Sequence, residues 1–326
     1  MKVIKQSYNI LDIPDAIDTM EVLKYLERIG RTCYKSEDLI TDESCIKFIN
    51  MLKSRQHWAM LEHYIFVLSI PKWIYEGIVN SKHSHYDLIF KYDYIKLSET
   101  GLYDNPYIMS FSATTLNYIL KAYEENPISN KAMNTIGCFM ANKFPELIFN
   151  SEIYDDDTYK SNDISLLTMG EINNLPMPLQ LIHNWISVKF ITHIGISHEI
   201  VRHRPASYAQ ESTRYCTYTK NKFGNELTFI EPIFINDKER YKIWEKQMKS
   251  AESAYRELIT AGSTAQEAAA VLPKSTKTEI VMTARLIEWN HFFKMRADGA
   301  AHPQMQELAF PLFHECKERF FNIIKK

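Results

Sequence analysis

Apolar residues recur at helical spacing from early in the chain. Ile17, Val22, Leu23, Leu26 and Ile29 form one stripe over residues 13–32, with Asp15 placed to cap it. Residues 41–55 read as a second helix, opened by Thr41 and carrying Ile46, Phe48, Ile49 and Leu52. Tyr64–Ile70 is aromatic and β-branched and stops at Pro71, the pattern of a strand, and Trp73–Asn80 opens another helix. From 83 to 180 the periodicity is less regular. Asn105-Pro106, Asn126-Pro127 and the acidic run Glu152–Asp157 mark turns, while Thr114–Glu124 and Asn130–Asn142 have helical spacing.

Asn184–His193 alternates like a second strand, and a short helix over Ile196–Arg204 must stop before Pro205. Further helices are predicted over 237–261, over Thr264–Leu272 up to Pro273, over Thr276–Met295, and from Gln304 to Ile324. The order is helices, strand, an irregular stretch, strand, helices. That order predicts an α+β fold rather than alternating βαβ units. Residues 83–180 read either as an inserted segment or as a continuation of one fold.

Composition narrows the classes. The chain has 326 residues, 45% hydrophobic and 24% charged, which suits one large domain or two lobes with a proper core. No apolar run reaches the length of a membrane helix, and the N-terminal stretch lacks the apolar centre of a secretory signal. Cys33, Cys45, Cys138, Cys216 and Cys316 are odd in number and form no CxxC pair. A reducing, cytoplasmic setting is the expectation. A net charge of −2 argues against a general nucleic-acid surface. The nine glycines include no GxG, so a nucleotide must be held by side chains rather than by a glycine-rich turn.

The densest chemistry lies in His198–Tyr218, HEIVRHRPASYAQESTRYCTY. Arg202, His203, Arg204 and Arg214 sit there with Ser207, Ser212 and Thr213 between them. Planar guanidinium forks and hydroxyls suit phosphate or pyrophosphate oxygens. The competing reading is a basic helix C-terminus followed by a solvated loop. HEIVRH has one residue too many for HExxH. Positions five apart diverge by about 140°, so His198 and His203 do not share a metal and no metal site is expected.

Arg202-His203-Arg204, then seven residues, then Ser212 matches the RHRx7S signature of flavin-dependent thymidylate synthases. The match continues through Ser207, Gln210, Arg214 and Tyr215. Gly30–Asp38, His57–Phe66, Leu272–Ala284 and Glu288–Ala309 resemble other parts of that family in the same order. The resemblance implies a single catalytic domain over 1–326, with a central, mainly antiparallel sheet flanked by helices and a family-type insertion at 83–180. It implies a homotetramer with FAD between subunits. The activity it implies is transfer of a methylene from methylenetetrahydrofolate to dUMP, giving dTMP, with NADPH reducing the flavin. By resemblance, His63, Arg202, His203, Arg204, Gln210, Arg285 and His291 contact FAD. Glu199, Arg202, Gln210, Glu211, Ser212, Thr213, Arg214 and Arg296 contact the nucleotide. Arg296 and Ser212 carry the catalytic roles, Arg296 by stabilising charge on the base.

The C-terminal half departs from the family in places. The family's Arg before Leu272-Pro273 is replaced in the run Ala268-Ala269-Ala270, and its NLREW segment reads Arg285-Leu286-Ile287-Glu288-Trp289. Arg285 is a candidate replacement cation. On the predicted long helix Arg285, Phe292 and Arg296 share one side, within about 40°. These departures open two alternatives, a hydroxymethylase of dUMP or dCMP and a non-catalytic paralogue. Cys216 reads as a small buried residue, and Trp289, Phe292 and Phe293 read as packing.

Overall fold

Proline, capping side chains and β-branched runs set most element boundaries in the structure, a computed structural model. It describes residues 1–80, 95–100, 107–124, 131–149, 162–214, 216, 218, 226–320 and 323–325. In chain order the elements begin with β1 (Lys2–Ile4), β2 (Ser7–Ile10), α1 (Thr19–Tyr34), α2 (Ser44–Ser54), β3 (Ile65–Ile70) and α3 (Lys72–Val79). Then come β4 (Lys96–Glu99), β5 (Tyr107–Ser112), α4 (Ala113–Glu124), α5 (Lys131–Lys143), β6 (Ser165–Leu166), α6 (Met169–Asn173) and α7 (Met177–His183). The remainder is β7 (Trp185–His193), α8 (Ile194–Ile200), β8 (Ser207–Gln210), β9 (Thr228–Ile230), α9 (Lys238–Thr260), α10 (Ala265–Ala268), β10 (Lys277–Arg285), α11 (Leu286–Arg296) and α12 (Pro303–Arg319). The mixture is α+β, as predicted.

Two compact units divide the chain. The first comprises 1–11, 30–38 and 187–326, and the second 12–29 and 39–186. The segment 83–180 falls inside the second unit, which also takes in flanking residues on both sides. Its turn markers at Asn105-Pro106, Asn126-Pro127 and Glu152–Asp157 lie outside the described residues.

The second unit is built on a sheet of order β4-β5-β3-β6, with β3 antiparallel to both β5 and β6 and β4 antiparallel to β5. Its central strands β3 and β5 are buried on both faces, and Phe66 packs at 4.7 Å from Phe144 and Tyr64 at 5.5 Å from Trp185, ring centre to ring centre. The buried His183 ring is satisfied by the Ser110 and Ser98 hydroxyls at 2.9 and 2.8 Å, which makes it a structural histidine.

The first unit has a sheet of order β2-β7-β10-β8 and a parallel pair β1-β9. β2 runs antiparallel to β7, and β8 antiparallel to β10. Ser187 bonds Thr283 at 2.6 Å while the Ile194 amide donates to the Thr276 carbonyl at 3.0 Å, so β7 and β10 also run in opposite senses. One face of this sheet is apolar: Phe190 packs against Trp289 and Phe292, fully buried residues of α11. The other face presents Lys189 and Glu279. Cys216 and Phe229 join Met248 and Tyr255 of α9 in a separate buried cluster, so Cys216 is a packing residue as read from sequence.

Four expectations fail for definable reasons. α1 begins at Thr19, not residue 13, and Ile17 is 69% exposed. Asp18 supplies the N-terminal bond, its carboxylate accepting from the Glu21 amide, whereas Asp15 accepts from the Met169 amide. α2 starts at Ser44, with the Ser44 hydroxyl folding back on Thr41. Most consequentially, Thr276–Met295 is not one helix: Lys277–Arg285 is a strand and only Leu286–Arg296 is helical. β10 is buried on nearly every position, so it lacks the alternation that separates strand from helix. Likewise Thr264–Leu272 is only a short α10 followed by a 3₁₀ turn at Ala269–Val271.

Candidate functional site

The signature begins on α8, which is shorter than the predicted 196–204. It ends at Ile200, where the chain turns and the single Tyr208 hydroxyl hydrogen is shared between the carbonyls of Ile200 and His203, at 2.9 and 2.6 Å. The Arg204–Pro205 peptide is cis. This turn puts Arg202 and Arg204 at the surface and His203 inside, 6% exposed. His198 is exposed, so the two histidines of HEIVRH point to different environments.

Arg296, the last residue of α11, closes on the turn. Its Nε donates to His203 Nε2 at 2.9 Å, its Nη1 to the Glu199 carboxylate at 2.6 Å, and its Nη2 to the Glu199 carbonyl at 3.1 Å. A ring nitrogen that accepts from a guanidinium carries no proton, so the His203 proton sits on Nδ1. Burial, the Arg296 charge and the neighbouring His291 hold the His203 pKa down at about 4, so the ring is neutral at pH 7. The His291 and His203 rings lie 5.7 Å apart, and the Phe292 ring is 4.9 Å from His203. Nδ1 of His203 is buried and has no hydrogen-bond partner among the described residues. It is a donor awaiting an acceptor.

The second arm of the signature follows β8. Gln210 is fixed by bonds from its amide nitrogen to Ser197 at 2.9 Å and Thr278 at 3.2 Å. The Glu211 amide donates to the Glu279 carbonyl at 2.8 Å and the Ser212 amide to the Cys33 carbonyl at 3.1 Å. The Ser212 hydroxyl accepts from the Arg214 amide at 3.3 Å, and Arg214 Nε donates to Gln266 at 3.0 Å. Ser212 and Thr213 are half-buried and Arg214 is exposed, whereas Glu211 is 3% exposed. Tyr215 lies outside the described residues.

The structure therefore brings Glu199, His203, His291 and Arg296 together and sets Arg202 and Arg204 on the same turn. Gln210 and the Glu211–Arg214 stretch follow on the adjacent strand end. His63 belongs to the second unit, where it is buried at the end of the 3₁₀ turn Trp58–His63. Arg285 is a correction to the helix-face argument. It is the buried last residue of β10 and N-caps α11, so Arg296 lies eleven residues on, roughly 16 Å along a helix axis. Sequence reasoning missed Lys35, Lys189, Lys277 and Glu279, which pack behind Glu211. The K-T-E alternation of 277–279 was their only local trace.

Among the described residues Arg202 and Arg204 enter no ion pair. Two exposed cations beside a neutral, donor-bearing histidine are groups of the kind that suit an anion. Comparison with known proteins shows what the chain resembles. Residues 181–320 match the family described as Thymidylate synthase complementing protein. The flavin-dependent thymidylate synthase of Pyrococcus furiosus is 37% identical over 124 residues, 38% of this chain and 50% of that protein. That of Geobacter sulfurreducens is 34% identical over 122 residues, 37% of this chain and 51% of that protein. That of Mycobacterium avium is 30% identical over 151 residues, 41% and 57% of the two chains. Through residues 181–320 the chain is similar to the flavin-dependent thymidylate synthases. The chain spans about half the length of the curated relatives it matches. No helix among the described residues is long and apolar enough to cross a membrane.

Proposed function

We propose that the protein is a flavin-dependent thymidylate synthase that converts dUMP to dTMP, with methylenetetrahydrofolate as methylene donor and NADPH as reductant. The carrying observation is the Arg296–His203–Glu199 cluster with the buried Nδ1–H of His203 left to bind outward. FAD fits these residues. Arg202 and Arg204 offer forks for a pyrophosphate, and His203 and His291 offer ring donors beside them. When bound and reduced there, FAD would supply hydride for the reductive part of the reaction. His63, Gln210 and Arg285 are further proposed contacts to that cofactor.

The chain's own residues supply binding and charge. Of the five guanidinium N–H groups of an arginine, the Arg296 guanidinium commits three to Glu199 and His203. The others remain to bind negative charge as it develops on the pyrimidine, a role that needs a rigid donor rather than a mobile one. Ser212, Thr213 and Arg214 hold the nucleotide phosphate, and Glu199, Arg202, Gln210 and Glu211 border it. A homotetramer with flavin between subunits, in a reducing cytoplasm, completes the proposal.

The test is mass spectrometry of the nucleotide after incubation with FAD, NADPH, methylenetetrahydrofolate and either dUMP or dCMP. A methyl group gained on dUMP supports the proposal. A hydroxymethyl product on either nucleotide, or a folded protein that retains no flavin, overturns it.

A further inference from the structure

Behind the signature's second arm lies a half-buried cluster of alternating charge around the buried Glu211 and Glu279. The Glu279 carboxylate, 6% exposed, meets the ammonium groups of Lys35 and Lys189, each at 2.6 Å, and of Lys277. Lys277 also reaches Glu211 at 2.9 Å, and Lys35 and Lys189 reach Glu37 at 3.2 and 3.4 Å. Positive and negative groups balance, so the cluster has no surplus charge with which to recruit an ionic ligand. Nor is such a cluster an economical source of stability. Desolvating ions costs several kcal/mol each, and apolar replacements of similar volume are often neutral or stabilising.

What the cluster does provide is position. It joins the residue after α1, β7, β10 and the residue after β8. Two backbone bonds complete the joint at the same place, Glu211 to Glu279 and Ser212 to Cys33. Lys35 enters with φ of +48°, the left-handed region that L side chains avoid. There the bonds from Lys35 to the Thr32 carbonyl and from Ser36 to the Arg31 carbonyl end α1, and the lysine lands on Glu279.

We infer that Glu279, with Lys277 and Lys35, is a positioning residue that fixes residues 210–214 so that Ser212 and Arg214 are aimed at the nucleotide. The nucleotide part of this inference rests on the proposed function. The positioning part does not.

Two variants test it, Glu279→Gln at the centre and Lys277→Met at the edge, with Lys277→Arg as the conservative rescue. Hydrogen exchange of the ligand-free protein is read at peptides covering 210–214 and at the β2–β7 ladder. Calorimetry then measures dUMP binding. Faster exchange at 210–214 alone, with dUMP affinity weakened roughly tenfold, the scale of a displaced charge-assisted hydrogen bond, and recovery of both in Lys277→Arg, is the expected result. Unchanged exchange at 210–214, or a rise shared equally with β2–β7, overturns the inference. If the unaltered protein binds no dUMP, the functional proposal fails, and the exchange data alone decide whether the cluster positions the segment.

Discussion

Arg296 donates through Nε to Nε2 of His203 at 2.9 Å, so one residue on α11 fixes both the tautomer and the charge of another on the signature turn. The two cannot be altered independently. Arg296→Met removes the donor to Nε2 and the cation that helps depress the ring's pKa. NMR titration of the variant should show the His203 pKa rising from about 4 toward the ordinary 6.5. Turnover should fall about 10²–10³-fold, the scale of losing one preorganised charge-stabilising donor. Flavin retention should fall with it, because the His203 donor loses its fixed orientation. Full flavin retention with an unmoved His203 titration would show that the two residues are not coupled.

Acid should unfold the protein through the same histidine before the carboxylates contribute. In the unfolded chain a histidine takes up its proton near 6.5, whereas folded His203 does so only near 4. Between those values the unfolded state holds more protons, so stability is full above pH 6.5 and is lost as pH falls toward 4. His193, also depressed by burial, adds to the loss with the same sign. Glu279, held well below the usual carboxylate range despite its burial by Lys277 and Lys189, acts only below about pH 4.5. Urea midpoints measured across this range should decline from 6.5 downward, and His203→Gln should flatten the decline. A flat profile down to pH 4.5 would contradict the assignment.

How much of this was readable beforehand follows from the range of the interactions. β3 and β7 were legible because Pro71 and local alternation mark them, and α9 because Asp237 caps a clean amphipathic run, accepting from the amides of Glu239 and Arg240. β10 was not, because burial on both faces erases its period. The signature turn announced itself through Arg202, His203, Arg204 and Ser212 in one window. Its supports did not. Arg296 reaches back 93 residues to His203, and Lys35 reaches Glu279 across 244. No local pattern encodes such pairings. The length allowed two lobes, but the points where the chain passes from one unit to the other carry no local mark, since two of them fall inside α1 and β7 without any break in composition.

Arg202 and Arg204 should contribute to binding and almost nothing to folding. Both are exposed and neither enters an ion pair among the described residues. Replacing them with Gln should change unfolding free energy by less than about 0.5 kcal/mol, as for surface sites without partners. Flavin affinity should weaken severalfold per substitution and lose part of its salt dependence, because an exposed cation acts on a phosphate through a screened field. Fluorescence titration with FAD at two salt concentrations separates these effects from denaturation curves. Strong destabilisation with unchanged flavin affinity would mean that the guanidinium groups serve the fold instead.

The N-terminus of the signature helix depends on a histidine and a glycine acting as a pair. His193 Nδ1 accepts the Ile196 amide at 3.3 Å, and its Nε2 donates to the Gln304 side-chain oxygen at 3.1 Å. The ring lies so close over Gly195 that a Cβ there would stand 2.9 Å from two of its atoms. Gly195→Ala must therefore displace the cap, at about 1–3 kcal/mol for forced overpacking. His193→Ala gives up the cap alone, about 1 kcal/mol. Once the ring is gone the added methyl has room, so the double variant should be less destabilised than the two losses added together, by more than about 0.5 kcal/mol. Urea denaturation of the four proteins closes this cycle. Strict additivity would show that the alanine strains something other than His193.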